Sequence, residues 1–293
     1  MFSDLLAGTA QAPVIVPSRS PSILAFDSGL GGLTVFAELM KARPDADFVY
    51  AADDAAFPYG RLTESELVER VLAVMERLVA RHAPDLVVVA CNTASTLVLP
   101  HLRHRFPMPF IGTVPAIKPA ASASRSRRIS ILATPGTVAR DYTRGLIEAY
   151  AVACRVELVG SPRLAGFAEA ELRGTPVPDE QLAAELAPCF VEDEGGRTDV
   201  VVLACTHYPL LLDRLRRLAP WPVAWIDPAP AIARRMGEVL RPAGGRPELR
   251  PDGDRLAVFT GGEGLDLPLR AALAVRGLGH VTVEPFPLAP GEH

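Results

Sequence analysis

The stretch Asp85-Leu-Val-Val-Val-Ala-Cys91 has a close copy later in the chain, since Asp199-Val-Val-Val-Leu-Ala-Cys205 follows the same pattern 114 residues further on. A short, continuously apolar run that is rich in β-branched residues is typical of a strand buried on both faces of a parallel sheet. Each run ends in Ala-Cys, and polar side chains follow. Because ligands bind beyond the carboxyl ends of strands in open parallel sheets, we expect each cysteine to border a ligand site.

Two further segments repeat in the same order around this pair. Ser22-Ile-Leu-Ala25 recurs as Ser130-Ile-Leu-Ala133 after 108 residues, and Pro115-Ala-Ile117 recurs as Pro230-Ala-Ile232 after 115 residues. Three collinear matches indicate two similar units, although simple α/β units also repeat without sharing a function. We therefore predict an α/β fold with two similar domains of mostly parallel sheets flanked by helices. The domains should be related by a pseudo-twofold axis, with the active site in the cleft between them.

Apolar runs alternate along the chain with stretches that have helical spacing, among them one that starts with a capping box at Thr63 and Glu66. The predicted domains are residues 22–117 together with 228–293, and residues 118–227. An extension over residues 1–21, rich in Ala, Pro and Ser, is expected to be loosely ordered. The predicted strands are Ile23–Phe26, Phe48–Ala51, Leu86–Ala90, Phe110–Gly112, Ile129–Ala133, Val156–Val159, Val200–Ala204, Val223–Ile226 and Leu256–Phe259.

Composition excludes several classes of protein. The chain has 293 residues, of which 49% are hydrophobic, so a large core needs no disulfide or metal staples. A net charge of −4 gives no electrostatic footprint for nucleic acid, and the apolar runs are too short to span a membrane. The cysteines lack zinc-type spacing, so we predict no metal site and a reducing, cytoplasmic location. Cys154 and Cys189 are assigned to packing.

The residues after the two remaining cysteines favour acid–base chemistry. Asn92 and Thr93 follow Cys91 and suit a helix start, whose free N–H groups are expected to lower a thiol pKa and bind carboxylates. His207 lies two residues after Cys205 and can assist its proton transfers, although an isolated buried Cys or His is more often structural. Inverting an amino-acid α-carbon needs a base on one face and an acid on the other, and two thiols can exchange these roles.

Two loops complete the predicted cleft. Residues 27–32, Asp-Ser-Gly-Leu-Gly-Gly, contain glycines that let backbone approach a ligand, but their spacing differs from that of a dinucleotide-binding loop. Residues 57–60, Phe-Pro-Tyr-Gly, form either a plain turn or a loop that displays Tyr59 to a carboxylate. The chain has only two lysines, Lys41 and Lys118, and neither lies in a pyridoxal-type context. We therefore predict that no cofactor is used.

These segments resemble, in order and spacing, the signature segments of glutamate racemases. The resemblance runs from Ile23 to Gly261, whereas the related aspartate racemases usually carry different residues after their two cysteines. It implies cofactor-independent racemisation of L-glutamate to D-glutamate for peptidoglycan synthesis, with glutamate as the small-molecule partner and often a homodimer. The matching segments are Asp27–Val35, Pro58–Gly60, Cys91–Ser95 and Cys205–Leu210.

The resemblance also implies roles for individual residues. Cys91 would handle the proton on the D-glutamate side and Cys205 the proton on the L-glutamate side. Asp27 would support Cys91, and His207 would support Cys205. Glu169 matches a supporting acid near His207 more loosely, and its alternative is a solvent-facing helix carboxylate. The implied substrate contacts are Asp27, Ser28, Pro58, Tyr59, Gly60, Asn92, Thr93, Thr137, Thr206 and His207.

Three positions depart from the family pattern. Ala204 stands where a glycine usually precedes the second cysteine, Arg140 where a serine is frequent, and Ser161 where a cysteine is common. No proton-transfer group is lost, so we expect effects on substrate affinity and not on the reaction. Two alternatives stay open: a racemase of aspartate or another acidic amino acid, and a binding or regulatory protein that retains the fold.

Overall fold

Two parallel β-sheets with helices packed against them form the framework of this protein in its computed structural model, which describes residues 20–240 and 253–286. The strands are β1 (Ser22–Asp27), β2 (Asp47–Ala52), β3 (Leu86–Val89), β4 (Phe110–Gly112), β5 (Arg128–Ala133), β6 (Arg155–Gly160), β7 (Glu192–Asp193), β8 (Gly196–Arg197), β9 (Val200–Ala204), β10 (Ala224–Ile226), β11 (Arg255–Phe259) and β12 (His280–Val283).

Helices connect most of these strands. The α-helices are α1 (Leu33–Ala42), α2 (Glu64–His82), α3 (Asn92–Arg105), α4 (Ile117–Ala123), α5 (Pro135–Ala139), α6 (Asp141–Tyr150), α7 (Leu164–Leu172), α8 (Asp179–Leu186), α9 (Leu212–Leu218), α10 (Ala229–Val239) and α11 (Leu267–Val275). Short 3₁₀ turns cover Asp54–Ala56, Tyr59–Arg61, Ala187–Cys189 and Tyr208–Leu211.

In the described part of the chain, the larger sheet has six strands in the order β12-β11-β2-β1-β3-β4, and the smaller has four in the order β10-β9-β5-β6. Neighbouring strands in both sheets are parallel. The strands β3 and β9 are buried along their whole length because helices cover both faces of each sheet. The predicted fold class, two parallel sheets flanked by helices, is therefore confirmed.

All nine predicted strands are present, with ends that differ by at most one residue. The structure adds β12 and the antiparallel hairpin β7–β8, which the sequence interpretation missed. Strands of the larger sheet fall within residues 22–117 and 228–293, and strands of the smaller sheet within 118–227. The domain division itself stays a prediction. Most of the predicted extension over residues 1–21 lies outside the described residues.

The helix α2 shows how local sequence fixes an element. Thr63 Oγ1 accepts the Glu66 amide hydrogen at 3.4 Å, and Glu66 Oε2 accepts the Thr63 amide hydrogen at 2.7 Å, so the predicted capping box is confirmed. Its apolar stripe, which includes Leu67 and Val71, is buried against the larger sheet. Burying each such side chain stabilises the fold by roughly 1.5–3 kcal/mol.

This topology places the two cysteines at comparable positions. Cys91 follows β3 after one intervening residue, Ala90, and caps α3, while Cys205 directly follows β9. Both β3 and β9 lie beside the strand that opens their unit, β1 and β5 respectively. Among residues 20–240 and 253–286, no helix is both long enough and apolar enough to cross a lipid bilayer.

Candidate active site

Cys91 lies at the cleft where the two sheets meet. Its side chain is buried, and its Sγ–H donates to Ser28 Oγ at 3.7 Å. Burial and the negative charge of Asp27 raise the pKa of the Cys91 thiol above its usual value, although the Ala94 amide and the Ser28 hydroxyl act in the opposite direction. The prediction that the helix start lowers this pKa is therefore wrong for the net shift. Cys91 carries its proton at neutral pH.

Cys205 lies on the side of the smaller sheet, next to a buried histidine and a buried carboxylate. The Sγ of Cys205 lies 3.8 Å from His207 Nδ1, and His207 Nε2 lies 3.1 Å from Glu169 Oε1. Glu169 is 8% exposed, so the alternative of a solvent-facing helix carboxylate is wrong. The ring of Phe57 covers the imidazole, with 5.5 Å between ring centroids. The sequence had suggested a plain turn or a substrate loop at Phe57, and not a contact with His207.

The charges of Glu169 and His207 support each other. Burial alone lowers the pKa of His207, but the hydrogen bonds to Cys205 and Glu169 and nearby negative charges outweigh it and hold that pKa well above its usual value. Burial raises the pKa of Glu169, but the hydrogen bond and charge of His207 outweigh it and leave that pKa below its usual value. Protonated His207 therefore lies next to the sulfur of Cys205, where it favours the thiolate.

The loop of residues 27–32 contacts groups from both sheets. Asp27 Oδ2 accepts the amide hydrogens of Gly29 at 3.1 Å and Gly32 at 3.0 Å. From the other sheet, Thr206 Oγ1 donates to Asp27 Oδ1 at 3.5 Å. The carboxyl of Asp27 is fully buried, and its pKa is raised by burial, with His207 and the two amides acting in the opposite direction. Asp27 therefore lies between the groups that surround both cysteines.

Gly31 in this loop lies very close to His207. The Gly31 amide points at His207 Nε2 at 3.1 Å, and a Cβ at Gly31 would lie 2.3 Å from His207 Nδ1. The sequence interpretation had these glycines approach a ligand, whereas here they admit the imidazole. Nε2 accepts from Gly31 when it carries no proton and donates to Glu169 when it does, so the two contacts are alternatives. The direction of the His207 pKa shift favours the second.

Hydroxyl and amide groups line the cleft at the start of α3. Thr93 Oγ1 lies 3.0 Å from Thr134 Oγ1 and 3.5 Å from Thr137 Oγ1, which brings α3 against the end of β5. The Asn92 side chain is 2% exposed, yet neither its amide oxygen nor its amide nitrogen has a hydrogen-bond partner. Leaving such a group buried and unsatisfied costs about 1–3 kcal/mol. Asn92 therefore has donor and acceptor capacity to offer a polar ligand.

The turn that contains Pro58, Tyr59 and Gly60 borders the same region. Tyr59 is buried, and its hydroxyl donates to Asp53 Oδ2 at 2.7 Å, so this hydroxyl is engaged by the protein. Gly60 is exposed, and a Cβ there would meet no atom within 4 Å. The sequence interpretation missed Asp53 and its buried partner Arg70, whose Nε donates to Asp53 Oδ2 at 2.9 Å. A signal was available, because Arg70 falls on the apolar stripe of α2.

The predicted site residues thus gather around one cleft. A negative charge on Cys205 raises the pKa of Cys91, which is an effect of proximity between the two sulfur atoms. Over residues 20–240 and 253–286, the structure contains no cluster of three or more His, Cys, Asp or Glu side chains arranged to hold a metal ion. The arrangement presents one protonated thiol and one histidine-supported thiol to a shared space.

Several known proteins have sequences similar to this chain. The sequence pattern of the Asp/Glu/hydantoin racemase family matches residues 32–236. A glutamate racemase of Mesorhizobium japonicum is 58% identical over 243 residues, which cover 82% of this chain and 92% of that relative. A glutamate racemase of Brucella anthropi is 53% identical over 256 residues, which cover 85% of this chain and 92% of that relative.

Solved structures agree with the sequence matches. The Escherichia coli glutamate racemase, crystallised with L-glutamate and the activator UDP-MurNAc-Ala, superposes with a TM-score of 0.83 at 38% identity, covering 91% of this chain and 99% of that one. Glutamate racemase isoform RacE1 from Bacillus anthracis superposes with a TM-score of 0.73 at 26% identity, covering 92% and 98% of the two chains. With its paired cysteines at the ends of β3 and β9, this chain belongs to the Asp/Glu/hydantoin racemase family.

Proposed function

We propose that this protein is a glutamate racemase that interconverts L- and D-glutamate with two cysteines and no cofactor. The observation that carries the proposal is that Cys91 and Cys205 follow equivalent strands of the two sheets and lie near enough for the charge of Cys205 to act on Cys91. The sequence identity to glutamate racemases supports glutamate as the substrate. D-Glutamate made in this way would supply peptidoglycan synthesis.

The two thiols take different parts in the proposed reaction. For L-glutamate, the thiolate of Cys205 removes the α-proton, and the thiol of Cys91 delivers its proton to the opposite face of the same carbon. Cys205 ends as a thiol and Cys91 as a thiolate, so the reverse reaction uses the same groups in exchanged roles. Protonated His207 favours the Cys205 thiolate, and the raised pKa of Cys91 keeps its proton in place until the carbanion forms.

Polar groups at the start of α3 are placed to hold the substrate. The free N–H groups of the first turn and the side chains of Asn92 and Thr93 favour a bound carboxylate. Thr137 and Thr206 add hydroxyl groups from the other sheet, and Ser28 and the 58–60 turn complete the set of proposed contacts. Donors aimed at the α-carboxylate would stabilise the negative charge that develops on it when the α-proton leaves.

The decisive assay follows deuterium into the α-position. Pure protein is incubated with L-glutamate in D₂O without added cofactor, and we expect optical rotation to fall to zero as deuterium enters Cα. The variant Cys154→Ser serves as a control, because Cys154 packs away from the cleft. Protein that neither exchanges the α-proton nor forms D-glutamate would overturn the proposal.

Substrate choice is tested by the same assay. Aspartate and other acidic amino acids are compared with glutamate at equal concentration, and we expect glutamate to be turned over fastest. Faster turnover of aspartate would instead favour the alternative of an aspartate racemase on the same fold. Rescue of a D-glutamate-requiring strain by a variant that lacks both Cys91 and Cys205 would favour a non-catalytic role.

We also propose a cytoplasmic location and a homodimer. The four cysteines are free thiols in the structure, which suits a reducing compartment. The homodimer is implied by resemblance to the family and is tested by the mass of the protein in solution. A net charge of −4 supports the expectation that nucleic acid is not a partner.

A further inference from the structure

The carboxylate of Glu169 uses its two oxygens differently. Oε1 accepts the Leu30 amide hydrogen at 2.9 Å and lies 3.1 Å from His207 Nε2. Oε2 faces the guanidinium of Arg173, with 3.7 Å between Oε2 and Nη2. Arg173 follows α7 directly, four residues after Glu169, so the two side chains emerge from the same side of the helix.

Arg173 also contacts the other half of the molecule. Its Nη1 donates to the Gly264 carbonyl at 2.6 Å, in the loop that follows β11 of the larger sheet. Gly264 has a φ of +73°, and a Cβ there would lie 2.6 Å from Nη1. Glycine at position 264 therefore permits this approach. Arg173 links the loop after β11 of the larger sheet to Glu169, the carboxylate that contacts His207.

Packing fixes the end of α7 at this junction. Leu172 and Leu265 are partly buried, and both pack against the core cluster of the larger sheet that contains Phe259. The Arg173 side chain is 25% exposed, which is low for an arginine. A charge in such partly desolvated surroundings is screened less than a charge at a fully exposed position.

We propose that Arg173 is a positioning residue for the Glu169–His207 pair. It holds Oε2 of Glu169 so that Oε1 stays directed at His207, and its positive charge keeps the carboxylate ionised. The inference rests on the proposed function, because an ionised Glu169 favours protonated His207, which in turn favours the thiolate of Cys205. Arg173 touches no reacting atom.

Other charged and titratable groups act on the same pair. Asp27 and Tyr50 face it from the larger sheet, and Cys205 faces it from the end of β9. The negative charge of Asp27 opposes ionisation of Glu169, whereas His207 and Arg173 both favour it. Removing Arg173 therefore takes away one of the two positive charges that the structure places against this carboxylate.

Kinetics of Arg173→Met, Arg173→Lys and the control Arg163→Met give the first test. Arg163 lies at the start of α7 and pairs with Glu185 away from Glu169. We expect Arg173→Met to lower kcat about tenfold with a smaller change in KM, short of the roughly hundredfold or greater loss that follows removal of an acid–base group. Arg173→Lys keeps the charge and should recover most of the rate.

Two further readouts separate positioning from a general structural role. The acid limb of the kcat/KM profile should move to higher pH in Arg173→Met, because loss of the cation raises the pKa of Glu169. The primary isotope effects for α-deuterated L- and D-glutamate should change in opposite directions, since only the Cys205 step is slowed. An unchanged acid limb, or isotope effects that change equally for both enantiomers, would overturn the proposal.

A readout without turnover distinguishes this inference from the proposed function. The ¹³C-labelled side-chain carboxyl of Glu169, assigned by its loss in Glu169→Gln, should titrate at higher pH in Arg173→Met than in wild-type protein or Arg163→Met. Equal midpoints would overturn the role of Arg173. If the midpoint is higher in Arg173→Met but the wild-type protein does not racemise glutamate, Arg173 still positions Glu169 and the racemase function is rejected.

Discussion

Cys91 and Cys205 have different surroundings, although both are buried to the same extent at 5% exposure. Cys91 has a hydroxyl and a buried carboxyl beside it, whereas Cys205 has an imidazole at 3.8 Å that is supported by Glu169. The two thiols are therefore not equivalent before the substrate binds. A two-base racemase needs that difference, because one thiol has to accept a proton while the other donates one.

Serine substitutions should expose the two roles separately. We expect Cys91→Ser and Cys205→Ser each to lower racemisation by at least about 10²-fold, because a hydroxyl is a much weaker acid and base than a thiol. In D₂O, Cys91→Ser should exchange the α-proton of L-glutamate only, and Cys205→Ser that of D-glutamate only. ¹H NMR of each enantiomer measures the exchange, and full activity in either variant would contradict the assignment.

The buried carboxylate of Asp27 should lower the free energy of unfolding at neutral pH. Its pKa is raised in the folded protein, so the stability it contributes is fully present below its unfolded pKa and is lost as pH rises through the folded pKa. We expect Asp27→Asn to raise Tm at neutral pH, with a difference from wild type that shrinks toward acid pH, while activity falls. Scanning calorimetry across this pH range measures it. The exposed Asp141→Asn should show no such trend.

At the scale of elements, the loop before α1 needs glycine at position 31 because the imidazole of His207 packs against it. We expect Gly31→Ala to lower kcat/KM by about 10²-fold, since a displacement of about 1 Å at a reacting group has an effect of that size. The cause is a Cβ that would lie 2.3 Å from His207 Nδ1. Gly166→Ala, exposed in α7 with no atom near its Cβ, is the matched control. Similar activities for both variants would contradict this account.

The elements that the sequence predicted share a cause, as do those that it missed. Strands such as β3 and β9 are continuously apolar because both faces are covered, so their composition alone marks them. The edge strand β12 is mostly exposed, and the hairpin β7–β8 has two-residue strands of polar residues and glycine, so neither has an apolar run. The missed elements lie away from the cleft, and the site prediction was not affected.

The candidate site could be predicted only where functional residues follow one another closely in the sequence. The residues after Cys91 and Cys205 carry such a pattern, and the structure brings them to one cleft. Contacts between distant positions carry none: Glu169 reaches Leu30 across 139 residues, and Arg173 reaches Gly264 across 91. These contacts depend on how the elements of the two sheets pack together, and that arrangement cannot be read from a single sequence.

In the molecule as a whole, side chains bridge the two sheets at several points around the cleft. Thr34 Oγ1 donates to the Thr206 carbonyl at 3.0 Å, and Thr93 contacts Thr134. Arg140, one of the departures from the family pattern, pairs with Glu64 at the start of α2. The structure therefore holds the two halves together at the cleft through contacts that the substrate could strengthen or replace.

The Arg140–Glu64 pair should affect substrate binding more than chemistry. Glu64 is largely exposed, and a surface ion pair contributes about 0–1 kcal/mol, which corresponds to a change of up to about fivefold. We expect Arg140→Ser to change KM for glutamate within that range, to leave kcat nearly unchanged, and to weaken the dependence of KM on NaCl. Steady-state kinetics at two salt concentrations measures this. Arg144→Ser, whose pair with Asp141 stays within α6, should keep the wild-type salt response.

The order of strands in the larger sheet also bears on how the protein is synthesised. β2, made early, pairs on one side with β1, and on the other with β11, which begins only at residue 255. Until the ribosome has passed that point, one edge of β2 exposes unpaired backbone groups, and exposed edges invite association with other chains. A nascent polypeptide that stalls after the second cysteine would thus carry both reactive sulfurs but an unfinished sheet, and chaperones would have to shield it.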